Sequence, residues 1–164
     1  MNQVRVEIIA TGKGFESPGV RSFETVIKEL FQSAQIEVQV AIYLISPSAI
    51  DLVQFLGDRA SRGIRVTIIL NSLKETCSSV RQILLNFSRT LGDLFRVYSF
   101  KERFGTDLHA KVVVVDRKKA IIGSSNFSWG GMVENHEMGV MVEGYPAWQI
   151  ATLLDNLVDE LSSA

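Results

Sequence analysis

The sequence predicts an α/β fold, a mixed and mostly buried β-sheet flanked by helices on both faces (an α/β/α sandwich). Three observations lead there. VQVAIYLI at residues 38–45, VTIIL at 66–70 and four consecutive valines at 112–115 are almost wholly apolar, as strands covered on both faces are. Between them lie segments with apolar residues at i, i+3, i+4 and i+7, the spacing of a half-buried helix. Elements of the two kinds succeed one another along the chain, which argues for helices layered on a sheet.

Residues 4–10 alternate loosely and are expected to form the first strand. TGKGFESPG at 11–19 reads as a loop at the edge of the cleft. Phe23, Val26, Ile27, Leu30 and Phe31 place a helix over 22–34. After the 38–45 strand, Ser46-Pro47-Ser48 starts a second helix, with Pro tolerated in the first turn and Asp51 suited to the helix dipole. That helix stops at Gly63 in the expected left-handed conformation. The 66–70 strand, a link containing Cys77, a helix over 80–91 and a strand over 94–100 follow. A strand opening at His109 leads to a solvated turn at Arg117-Lys118-Lys119 and a return strand at 120–123. EMGVMVE at 137–143 is the last strand. Ile150, Leu153, Leu154, Leu157, Val158 and Leu161 set the closing helix over 147–161.

The 164 residues fit one domain, 1–164. A 46% apolar and 21% charged composition excludes a disordered chain. The net charge of −1 gives no global argument for a polyanionic partner. Locally, Lys101, Arg103, Lys111, Arg117, Lys118 and Lys119 face only Glu102, Asp107 and Asp116 across 101–119, so a basic field is expected around His109. The single cysteine excludes an intrachain disulfide and a cysteine-rich metal site. No apolar run approaches the roughly 18 residues of a membrane span, and no signal peptide is visible, so the expected location is cytoplasmic.

Side chains alternate along a strand, so His109 and Lys111 are expected on one face, an imidazole beside an ammonium at a strand end. Ser124 and Asn126 share parity just after the return strand. Glu137 opens the next strand and offers a carboxylate to orient an imidazole. A nucleophile, a fixed cation, neutral donors and an orienting acid suit a phosphate. Phe127 and Trp129 are expected to pack under the loop, and His136 to be exposed or structural.

His109, Lys111, Asp116, Gly123, Ser124 and Asn126 match H-x-K-x4-D-x6-G-S-x-N at every spacing. The chain thereby closely resembles the phospholipase D superfamily, and its small single-motif bacterial nucleases in particular. The resemblance implies a metal-independent phosphodiesterase without cofactor, acting on DNA or RNA through a phosphohistidine. It implies catalytic roles for His109, Lys111, Asn126 and Glu137, with Ser124 an added phosphate donor and Glu137 holding His109. Asp116, counted with the catalytic set, has opposite parity to His109 and is expected to buttress the site through hydrogen bonds. Most members carry two copies of the motif, and this chain has one. A complete site therefore implies a homodimer with His109 of each copy near the two-fold axis. The alternatives are a phospholipase or other phosphodiesterase, disfavoured by the lack of an anchor or basic amphipathic helix, and a non-catalytic nucleic-acid-binding module of a larger assembly.

Overall fold

The computed structural model describes residues 3–163. Its strands are β1 (Arg5–Thr11), β2 (Glu37–Ile42), β3 (Arg65–Leu70), β4 (Phe95–Ser99), β5 (Val112–Val115), β6 (Lys119–Gly123) and β7 (Glu137–Glu143). The helices are α1 (Phe23–Ser33), α2 (Ile50–Ser61), α3 (Ser78–Leu91), a single turn α4 (Lys101–Phe104) and α5 (Tyr145–Ser162). All seven strands join one mixed sheet in the order β1-β7-β6-β5-β2-β3-β4. β2, β3 and β4 run parallel, linked through α2 and α3. β5 lies antiparallel on β2, and β6, β7 and β1 continue antiparallel from it.

The apolar stripes explain the layers. Phe23, Val26, Ile27, Leu30 and Phe31 of α1 join Leu52, Val53 and Leu56 of α2 and Val80 and Leu84 of α3 over one sheet face, against Val38, Val40, Val66, Ile68 and Val113. On the other face α5 presents Ala147, Ala151 and Leu154 to Ala41, Ile69, Val112, Val114 and Ala120. Two small residues toward the sheet let the α5 backbone approach closely. Ser22 caps α1 by accepting the Thr25 N–H at 3.2 Å. Gly63 has φ +93°, the left-handed stop expected after α2.

Two boundaries near the site differ from the sequence reading. β2 ends at Ile42, because Tyr43 and Leu44 leave the ladder to meet the loop after β6, where Phe127 N–H donates to Leu44 O at 3.1 Å. The strand expected to open at His109 begins only at Val112, where pairing with Ala41 of β2 starts. Lys111 keeps one ladder bond, from Gly123 N–H to its carbonyl at 3.3 Å. The sheet is also less covered than expected. α5 crosses its face and covers Ala120 and Val142 but leaves much of the β1–β7–β6 side bare, so that Val6 (59%), Ile8 (51%), Ile122 (41%) and Met138 (51%) are exposed. Ile8 and Ile122 flank Val140 in register, which makes a continuous apolar strip across three strands.

Candidate active site

The candidate residues other than Asp116 gather at one end of the sheet, where β2 and β3 finish, β5 and β7 start and β6 ends. The segment leading to His109 is fixed by Asn71, which follows β3 and is 2% exposed. Its Oδ1 accepts the Leu108 N–H at 2.7 Å and its Nδ2 donates to Asp107 at 3.2 Å. His109 thus emerges from a clamped backbone, with an exposed side chain.

Lys111 folds back beneath it. The Lys111 ammonium donates to the His109 carbonyl at 2.8 Å and lies 3.1 Å from Nδ1 and 3.2 Å from Nε2 of the ring. Tyr43 packs on both, its ring 5.1 Å from the imidazole and 5.5 Å from Nζ. Lys111 is only 8% exposed. Burial pushes its pKa below the ordinary lysine value, and the field of Glu137 partly opposes this. The native state therefore releases this proton before the unfolded chain does, so the Lys111 contribution to stability grows as pH rises from its lowered pKa toward the ordinary value. Glu137→Gln removes the opposing field. The alkaline limb of the pH–rate profile is expected to move further toward neutral pH, and an unmoved limb would show that Lys111 does not govern it.

Asn126 is half-buried, and its Oδ1 accepts the Leu44 N–H at 3.2 Å. Its Nδ2 has no protein partner among the described residues and remains a donor. Ser124 is differently committed. Its hydroxyl donates to Glu137 Oε2 and accepts the Met138 N–H at 3.2 Å. Glu137, expected to hold His109, instead takes the Ser124 proton and a long 3.5 Å contact from Asn135, and makes no hydrogen bond to His109 within the chain. Both departures have one cause: β7 starts directly beside Ser124, so the nearest donor to its first carboxylate is that hydroxyl.

Asp116 stands apart from the other candidates. It lies beyond the opposite end of β5 from Lys111, with φ +53°. Its carboxylate accepts the backbone N–H groups of Gln35, Ile36 and Glu37 at 2.9, 2.8 and 2.9 Å. It does buttress through hydrogen bonds, but what it supports is the α1–β2 connection and not the site. The expected basic field around His109 is dispersed for the same topological reason. Arg117 pairs with Glu37 at 2.6 Å and Asp155 at 2.7 Å at that far end, and so is not a solvated turn residue. Lys101 pairs with Glu75 and Asp107.

Phe127 is buried as expected, whereas Trp129 is 53% exposed and does not pack under the loop. His136 is structural, accepting the Gly14 N–H at 2.9 Å and tying down the loop after β1. Tyr43 and Asn71 were not singled out in the sequence. Asn71 left a trace, a polar residue closing an apolar run, but Tyr43 sat inside such a run and read as core. Among the described residues, no three His, Cys, Asp or Glu converge to hold a metal ion.

Comparison with known proteins identifies the family and the fold. The family described as "Cardiolipin synthase, PLD-like domain" matches residues 27–161. The DISARM protein DrmC of Bacillus paralicheniformis is 32% identical over 157 residues, 95% of this chain and 64% of that protein. The chain thus spans less than two-thirds of that relative. Among solved structures, the fold is similar to the phospholipase D family member Nuc from Salmonella typhimurium (TM-score 0.72, 19% identity, covering 96% of this chain and 94% of that one). It is equally similar to NucT from Helicobacter pylori (TM-score 0.71, 19% identity, covering 97% and 98%). The matched span runs from within α1 to the last turn of α5 and encloses every candidate residue from His109 to Glu137, so the chain belongs to the phospholipase D-like family.

Proposed function

We propose that this chain is a metal-independent nuclease that cleaves DNA through a phosphohistidine, with its site completed by a second copy. The observation that carries the reading is the contact between Lys111 and the His109 ring. An ammonium only donates and lies within reach of both ring nitrogens, so its charge favours an unprotonated nitrogen on the imidazole over a second proton. That is the form a nucleophile needs. The ring nitrogen attacks phosphorus, a P–N bond forms and the P–O bond to the leaving nucleotide breaks. The same histidine of the second copy gives its proton to the departing oxygen, then takes one from water as that water attacks phosphorus and releases His109. Lys111 and the Asn126 Nδ2 hold the non-bridging oxygens. Removing one such donor typically costs about 3–4 kcal/mol of transition-state stabilisation.

One further observation supports this reading over a lipid substrate: the chain overlays nearly the full length of Nuc and NucT. No helix among the described residues is long and apolar enough to cross a membrane. Labelled single- and double-stranded DNA, RNA and phospholipid vesicles, each incubated with the protein in excess chelator, are expected to show DNA cleavage. Loss of all cleavage in chelator would overturn the metal-free mechanism, and turnover of the vesicles alone would overturn the nuclease.

The bare strip of Val6, Ile8, Ile122 and Met138 supports the second copy. It runs up to the site, since the Met138 N–H bonds to Ser124, and a symmetric partner could cover it with its own apolar strip. Val6→Lys with Ile8→Lys is expected to yield monomers in sedimentation equilibrium and to depress activity at low protein concentration. An unchanged dimer would place the two-fold axis elsewhere.

A further inference from the structure

We propose that the cleft beside Tyr43 is a nucleobase subsite, holding the base next to the scissile phosphate; this rests on the nuclease reading above. Tyr43 touches His109 and Lys111 and also lines a cavity of about 140 Å³ with Leu44, Asn71, Ser72, Glu75 and Thr76. A nucleoside attached to a phosphate at His109 on this side enters the cleft directly.

The groups left free in the cleft define what it takes. Asn71 is occupied by Leu108 and Asp107. The Ser72 hydroxyl donates to Glu102 and accepts the Glu75 N–H. The Thr76 hydroxyl donates to the Ser72 carbonyl at 2.6 Å. There remain the half-buried Tyr43 ring with its hydroxyl, unpartnered among the described residues, and the Glu75 carboxylate, whose Oε1 meets Lys101 at 2.8 Å and whose Oε2 has no protein partner among the described residues. A flat aromatic surface beside an acceptor whose charge is already balanced suits a neutral planar ring bearing an N–H donor, as cytosine, adenine and guanine do. A second phosphate would meet the Glu75 carboxylate. A quaternary ammonium would be repelled by Lys101, which pairs with Glu75, and by Lys111, which lies over the Tyr43 ring.

The test compares two DNA oligonucleotides, one carrying deoxycytidine and the other an abasic tetrahydrofuran residue beside a single mapped phosphate. Wild-type protein is expected to cut next to deoxycytidine roughly tenfold faster or more, the scale of one base stacked on an aromatic ring. Tyr43→Ala is expected to bring that ratio close to one, and Tyr43→Phe to retain it. A ratio of one in the wild type would overturn the subsite while leaving the nuclease standing. An equal slowing of both substrates in Tyr43→Ala, with the ratio kept, would also overturn it, making Tyr43 a positioning residue for His109 and Lys111. Failure of the wild type to cut either oligonucleotide would reject the nuclease reading and the subsite with it.

Discussion

His109→Ala is expected to lower kcat for phosphodiester cleavage by at least about 10⁴-fold, the scale of removing a nucleophile, without unfolding the chain. The side chain is exposed and supports only Tyr43 and Lys111, and Lys111 keeps its bond to the residue 109 carbonyl in the variant. The decisive form of the experiment mixes the variant with wild type under conditions of subunit exchange. A site that needs one imidazole from each copy loses activity in every mixed dimer, so activity per wild-type chain falls as the variant is added. Strict proportionality to wild-type chains after demonstrated exchange would show that each copy acts alone.

Asp116→Ala is expected to destabilise the fold by about 3 kcal/mol while leaving kcat of the folded molecules unchanged. Three backbone N–H groups lose a charged acceptor, and each such bond is worth on the order of 1.5–3 kcal/mol, less when the freed groups can turn to water. Alanine is also strained at φ +53°. Asp116→Asn tolerates that conformation and keeps one carbonyl acceptor, so its expected cost is about 1 kcal/mol. Denaturant unfolding separates the two variants, and single-turnover kinetics on folded protein gives the rest. A large fall in kcat at wild-type stability would return Asp116 to the catalytic machinery.

These two residues show how unevenly the site could be read. His109 and Lys111 are two apart, and spacing on an extended backbone is local information. Their contact survives although the strand starts three residues later than expected. Asp116 is only five residues from Lys111, yet a β-strand carries a chain about 3.3 Å per residue away from its start, so closeness in sequence became separation in space. Arg117, Lys118 and Lys119 follow the same path, which is why a basic cluster in the sequence is not a basic field at the site. Glu137 comes to the correct end of the sheet, but its partner is Ser124, a choice set by the β6–β7 register and invisible from either residue alone.

Tyr43 and Asn71 belong to the same class of omission. Each directly follows a buried parallel strand, and each acquires its role because β5 runs antiparallel beside β2 and brings the His109 segment back to those strand ends.

By itself the sequence determined the order and type of the main elements, the two-sided burial of β2, β3 and β5, and the pairing of an imidazole with an ammonium. All of these depend on periodicity or short spacing, which local backbone geometry reads directly. Strand order decided the rest. It placed Asp116 at the far end, gave Ser124 to Glu137, set Tyr43 beside His109, and left an apolar strip uncovered where α5 crosses the sheet too far over to reach β1. None of these follows from any single segment, because each depends on which strand lies next to which.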